Sequence, residues 1–434
     1  MVDYNFKYKD NLGLEEYQKE ATLNRFINKT LEVHSYDNAI ILPAIKNEEK
    51  IPWFKGGVID KNNNYIEDSS VKAYNLPTRM KGAYTYTNKE YIDETVIYIG
   101  LFINHWGHFL VDGLSRLYGA DKYKHLRIAY VGENNQCIRG NFLDLFSLLG
   151  INKDRLLLIT KPTQFKKVII PSPSQEAGGF WTNEFKNIFN RVRDNVNEIK
   201  KYDKIYLSRK YLPDSQRKEI GEAEIEKFFN NAGYKSIYPE QLSLREQISY
   251  IKGAKSVVCV GGTLAHNMLF AQDNTELIII SKTYLLNPNQ FQINQIRSLK
   301  VIDIDCHLSF NPVSFGNGPF IIFKNENLRR FAIDNHYKIT KSRFLPYYLE
   351  WYNNIMTNTL KESNNILYNY YSQKKDKELI GINSKHANLK YTLWKCTYLP
   401  TYLIPILKQY YKYKHYYEVI KAIGLKKIID KKRS

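Results

Sequence analysis

Several common signatures are missing from this 434-residue chain. It has no GxGxxG and no Walker loop, so neither a nicotinamide enzyme nor a P-loop ATPase is indicated. The four cysteines, Cys137, Cys259, Cys306 and Cys396, are scattered, without a CxxC or any paired spacing. That argues against a disulfide scaffold or a zinc site and for a reducing compartment. No uncharged apolar run reaches the roughly eighteen residues a membrane-crossing helix needs. The opening MVDYNFKYKDNLGLEEYQKE is polar and charged and does not resemble a signal peptide. A cytoplasmic location is expected, with peripheral attachment to the inner face of the cytoplasmic membrane as an option.

Charge is plentiful but unevenly spread. The net charge is +19, and residues 341–434 alone hold 18 Lys and Arg against 6 Asp and Glu. Basicity therefore belongs mainly to the tail. The tail interleaves Lys with Trp394 and eight tyrosines between 391 and 417, and ends GLKKIIDKKRS, with Leu425, Ile428 and Ile429 on one side. Such a segment suits an anionic membrane surface, a basic structural cap or, least well, stacking on single-stranded nucleic acid. Abundant Lys, Asn, Ile and Tyr follow from an AT-rich genome, so no nucleic-acid partner is expected from composition.

Length and 43% apolar content predict two domains plus an appendage. Residues 1–96 are an irregular lead-in with short strands, assigned to the first domain. A strand over 97–103 opens the first α/β domain, 97–183. Runs at 127–132, 156–160 and 167–171 are strands, and 140–150 is an amphipathic helix ending on glycine. A helix over 184–200 links to a second alternation, 201–323. Its strands fall at 204–207, 236–238, 256–260, 276–280 and 301–304. Its helices fall at 222–232, 243–254 with Ser243 as cap, 264–271 and 289–299. Strands alternating with helices predict parallel, doubly wound sheets. Two such Rossmann-like domains facing a cleft are expected, followed by a helical, basic, aromatic-rich region over 324–434.

Three stretches carry chemistry. In INHWGHFLVDGLSRL, a helix from Trp106 would align His108, Asp112 and Arg116 four residues apart, beside Asn104 and His105. His108 or Asp112 could take a proton from an attacking hydroxyl. A metal set of His105, His108 and Asp112 and a structural cap are the competing readings. The second stretch, SVVCVGGTLAHNMLF, runs a strand into Gly261, Gly262 and Thr263 and then a helix with His266 and Asn267. Glycines admit close approach and helix-start amides bind anions, although a plain tight turn uses glycine too. The third, YLSRK, puts Ser208, Arg209 and Lys210 at a strand's carboxyl edge, with Arg217 beyond. Arg grips a pyrophosphate bidentately and Lys adds a point charge, unless both simply face solvent. Together the second and third stretches suggest a nucleoside-diphosphate site.

The order of these motifs resembles glycosyltransferase family 61. The shared pattern is Asn104, Gly107, His108, Phe109 and Asp112, then Ser208, Arg209 and Lys210 with Arg217, then Glu246 and Gln247, then Gly262 with Asn267 and Phe270. The match covers about half the chain. Two departures stand out: Gly261 occupies a position where many members carry His, and Gly221-Glu222 replaces an Asn-Glu pair. GTLAHN is similar to the bacterial branch that accompanies capsule and surface-polysaccharide genes.

The resemblance implies a GT-B fold, a nucleotide-sugar donor, inversion at the anomeric carbon and no required metal or other cofactor. Ser208, Arg209, Lys210, Arg217, Glu246, Gly262, Thr263, His266 and Asn267 would hold a donor, expected to be UDP-linked. Asn104, His105 and Arg116 would line the acceptor side, with a glycan or lipid-linked glycan as acceptor and Arg116 anchoring Asp112 or that acceptor. Two alternatives stay open: a non-catalytic scaffold of a polysaccharide assembly complex, and a metal-dependent hydrolase built on His105, His108 and Asp112.

Overall fold

A computed structural model describes residues 2–10, 13–197, 202–212, 219–307 and 320–340. Arg217, the helices expected over 345–371 and 391–429 and the basic tail lie outside the described residues.

Two sheets organise the chain. The second in sequence is wholly parallel and has six strands, in the order Asp3–Asn5, Lys300–Asp305, Glu276–Ser281, Ser256–Val260, Lys204–Leu207 and Lys235–Ile237. Its strands are short apolar runs joined by helices Glu222–Asn231, Leu244–Gly253, Thr263–His266 and Pro288–Ile296. Ser243 caps the second of these with a reciprocal Ser243–Glu246 box, satisfying two amides that the first turn would otherwise leave unpaired. Because side chains alternate, Val257 and Cys259 enter one core while Val258 and Val260 enter another. The first strand of the chain, Asp3–Asn5, pairs here with Lys300–Asp305, although the rest of the lead-in builds the other sheet.

The first sheet departs from the doubly wound expectation. It is mixed: Thr163–Pro171, Glu90–Phe102, Arg127–Gly132 and Leu156–Leu158 run parallel, while Val33–Asp37 and Ile40–Lys46 oppose Thr163–Pro171 and Phe54–Ile59 opposes Ile40–Lys46. The reason is local. Only a seven-residue loop separates Lys46 from Phe54, closed by Asn47, which donates to the Pro52 carbonyl at 2.8 Å. A loop that short returns the chain antiparallel, whereas a parallel return needs a crossover of a dozen residues or so. One face of this sheet is covered not by helices but by irregular chain bearing Ile66, Val71 and Met80.

The other face meets the second sheet. Ile97, Ile99 and Phe102 from the first and Ile205, Leu207 and Val257 from the second belong to one apolar cluster, filled in between by Phe109, Phe146, Phe185, Phe189 and Phe270. The two units are therefore in packed contact along this seam. The helix Asn183–Asp194, foreseen over 184–200, lies in it, burying Phe185, Ile188, Phe189 and Val192. No described helix is long and apolar enough to cross a membrane.

Candidate active site

Strand Glu90–Phe102 delivers Asn104 and His105 to the seam. His105 takes an extended conformation and caps a single α-turn, Trp106–His108, its Nδ1 accepting from the His108 amide at 3.4 Å. The chain then widens into a π-turn over Phe109–Gly113. Turns of this kind recur at functional sites. Here the α-turn and π-turn together keep His108 and Asp112 in register: His108 Nδ1 lies 2.6 Å from Asp112 Oδ2. A carboxylate only accepts, so the imidazole proton resides on Nδ1 and Nε2 carries the free lone pair. The His108 side chain is 26% exposed and that of Asp112 only 1%.

Arg116 does not join this pair. The wider π-turn carries it off the His108–Asp112 face, beneath Gly100, and its side chain is sealed from solvent. It donates to the carbonyls of Asp68 and Ser70, the latter at 2.7 Å. Gly100, at φ +104°, leaves it room, since a Cβ there would stand 3.3 Å from Nη1. The cation that holds Asp112 is Arg79, whose Nε donates to Oδ2 at 3.2 Å. Arg79 in turn stacks on Trp53 at 4.2 Å, and the Trp53 ring meets His108 edge-on at 5.3 Å. Neither Arg79 nor Trp53 was foreseen from sequence. Both come from the irregular lead-in, and no local spacing ties them to residue 112.

Across the seam stands the glycine turn. Gly262 adopts φ +127° and ψ −153°, a backbone conformation reserved for glycine. The following turn brings Thr263 and His266 so close that a Cβ on Gly107 would lie 3.0 Å from Thr263 Oγ1 and 3.2 Å from His266 Nδ1. Trp106 Nε1 donates to Asn267 Oδ1 at 2.7 Å, so Asn267 serves as a strut between the units. His266 is buried with Nε2 against Asn287 Nδ2 at 3.1 Å, and its Nδ1 has no partner among the described residues. Burial, then the neighbouring His108 and His105, push its pKa down to about 3, which keeps the ring neutral.

The basic group at the end of strand Lys204–Leu207 is organised by acids. Glu219, with a side chain 1% exposed, accepts from Arg209 Nη1 and from Lys282 Nζ, each at 2.6 Å. Lys282 lies beside the glycine turn, 3.6 Å from where a Gly262 Cβ would be, and so joins Arg209 to that turn. Ser208 is fully buried and donates to Glu226 at 2.8 Å, and Lys210 donates its amide to Ser208 Oγ at 3.2 Å. Glu246 is engaged in the Ser243 cap. Glu222 accepts from the Arg209 amide at 3.2 Å, while burial and nearby Glu219 raise its pKa to about 7. Glu219 and Lys282 escaped sequence reading because each is one charge among many, given meaning only by the fold.

Asn104 and His105 are exposed at the rim. The proposed metal set is already committed in part, since Asp112 Oδ2 bridges an imidazole and a guanidinium. Among the described residues no group of three or more His, Cys, Asp or Glu is arranged to hold a metal ion.

The α/β frame thus sets a carboxylate-backed histidine against a glycine turn flanked by cations. Residues 106–278 match the family model Glycosyltransferase 61. This region is similar to glycosyltransferase family 61, and a domain of that family makes the protein a glycosyltransferase. No curated protein matches the chain closely. The matched span holds His108, Asp112, Arg209 and Gly262, whereas Arg79 and Lys282 lie outside it.

Proposed function

We propose that the protein transfers a sugar with inversion from a nucleotide-sugar donor, UDP-linked, to a glycan or lipid-linked glycan in surface-polysaccharide synthesis. The observation that carries this reading is the orientation of His108. Its Nδ1–H is held by Asp112, itself held by Arg79, so Nε2 is the basic atom at the open rim of the seam. In the proposed step the acceptor hydroxyl passes its proton to Nε2 as its oxygen bonds to the anomeric carbon. The bond from that carbon to the diphosphate oxygen breaks, and the diphosphate leaves with the electron pair. Asp112 orients the imidazole and stabilises the imidazolium.

Arg209, Lys210 and Lys282, with the amides of Gly262 and Thr263, would neutralise the leaving diphosphate in place of a divalent metal. Arg217 belongs to this assignment from the sequence alone. The closeness of Lys282 to Gly262 and its shared partner with Arg209 support one continuous donor site. The GT-B arrangement, with a donor unit and an acceptor unit, is the reading in which the two polar clusters serve one reaction. Attachment of segment 391–434 to an anionic membrane goes with it as a further proposal.

The test is a panel of nucleotide sugars scored by thermal shift and by nucleotide release. Wild-type protein is expected to be stabilised by a UDP-sugar and to turn it over. Arg209→Ala should lose donor affinity, and His108→Ala should keep donor affinity while transfer falls about 10²–10⁴-fold. Undiminished transfer by His108→Ala, or no nucleotide sugar bound at all, would overturn the reading.

A further inference from the structure

The first unit carries an opening that the dyad does not line. A groove of about 350 Å³ runs between the end of strand Ile40–Lys46, the segment 84–88, Asn135 and the turn 160–162. Its lining is unusual for a chain of net charge +19: it includes Ile45, Tyr84, Tyr86, Asn88, Asn135 and Thr160, and no lining residue is charged. Neighbouring Lys161 is tied to Glu90 at 2.9 Å. By contrast, the cavity of about 80 Å³ beneath Asp112 is walled by Glu67, Asp68 and Glu176 and holds only a few waters, at about 30 Å³ each.

We propose that the neutral groove binds the uncharged glycan chain of the acceptor, behind the sugar that receives the transfer. Tyrosine faces and Ile45 suit the C–H faces of sugar rings, while Asn and Thr side chains pair with hydroxyls. No lysine or arginine lines the groove itself, although Lys46, Lys89 and Lys161 flank it in sequence, so its lining suits a neutral glycan better than a phosphate, a nucleic acid or an acidic glycan. The tyrosines are already fixed: Tyr84 donates to the Pro43 carbonyl at 3.0 Å and Tyr86 to Asn63 at 3.2 Å, so little side-chain freedom remains to be lost on binding.

Two routes connect the groove to the dyad. Ile45 pairs with Lys55, two residues and about 7 Å along the strand from Trp53, whose ring meets His108. Asn135 lies three residues after Gly132, the register partner of Phe102, and Phe102 lies three residues before His105. The inference rests on the transferase reading of His108, and it is tested by binding rather than by turnover.

The full chain is to be applied to an array of neutral oligosaccharides, uronate-containing oligosaccharides and unrelated peptides. Wild type and His108→Ala are expected to retain the same neutral oligosaccharides. Thr160→Trp, which fills the groove from an exposed position, and Tyr86→Ala, which removes a ring, should each weaken that binding at least tenfold. Both should leave acceptor-independent donor hydrolysis unchanged, which separates failure of this site from failure of the donor site. Wild-type strength in both variants, retention of acidic glycans or peptides in preference, or no oligosaccharide bound by wild type would overturn the proposal.

Discussion

Two carboxylates, one on each side of the seam, have nearly the same burial and opposite consequences. Asp112 and Glu219 both have side chains 1% exposed, and each is gripped by two cationic or N–H-bearing partners. Around Asp112 one partner, Arg79, is buried and the other, His108, is a partly exposed imidazole held through Nδ1. Around Glu219 stand two permanent cations, Arg209 and Lys282. The first arrangement prepares a group that exchanges a proton, and the second holds positive charge in a fixed place. In both, the carboxylate acts as an anchor and the chemistry is assigned to what it holds.

The largest effects are expected on removing the anchors. Glu219→Ala leaves two partly buried cations without their common partner, and should lower stability by about 3–5 kcal/mol in denaturant unfolding. Asp112→Ala should cost a similar amount, because His108 can turn to solvent but the buried Arg79 guanidinium loses its carboxylate. Unchanged stability at either position would break the comparison.

Next comes the seam itself. Gly107→Ala would drive a methyl to within 3.0 Å of Thr263 Oγ1 and 3.2 Å of His266 Nδ1. A loss of about 1–3 kcal/mol is expected from such overpacking. Unchanged stability would mean that the two units do not touch there.

A third effect is in the pH profile, where two buried groups of the second unit contribute with opposite signs. His266 is neutral in the fold down to about 3, against 6.5 for an ordinary histidine. The unfolded chain therefore binds a proton first as pH falls, and stability drops between about 6.5 and 3. Glu222 keeps its proton up to about 7 in the fold, against an ordinary 4.5. Here the unfolded chain loses its proton first, so this contribution is whole below 4.5 and declines as pH rises to about 7. Melting temperatures should show His266→Gln flattening the acid limb and Glu222→Gln flattening the limb from 4.5 to 7. The reverse pattern would contradict both environments.

Much of this was legible from sequence where the signal is local. The strands Arg127–Gly132, Lys204–Leu207 and Ser256–Val260 have the bounds expected from their apolar runs. Ser243 caps its helix as its side chain predicts, and His108 and Asp112 meet through their four-residue spacing. The failures are non-local. Regular 3.6-residue spacing placed Arg116 beside Asp112, but the π-turn at Phe109–Gly113 broke the register and sent it under Gly100. Its place is taken by Arg79, 33 residues before Asp112 in sequence. The mixed character of the first sheet was hidden for a related reason: hairpin pairing is set by the loop closed at Asn47, which carries no strong turn signature.

The measurement that bears most directly on the account is the kcat of Asp112→Asn, taken alongside its affinity for the nucleotide sugar. An amide keeps the size of the side chain but holds the imidazole in the wrong tautomer and does not stabilise the imidazolium. Transfer should fall about 10²–10⁴-fold with donor affinity unchanged. A kcat equal to that of wild type would show that His108 is not the base that Asp112 and Arg79 are built to hold.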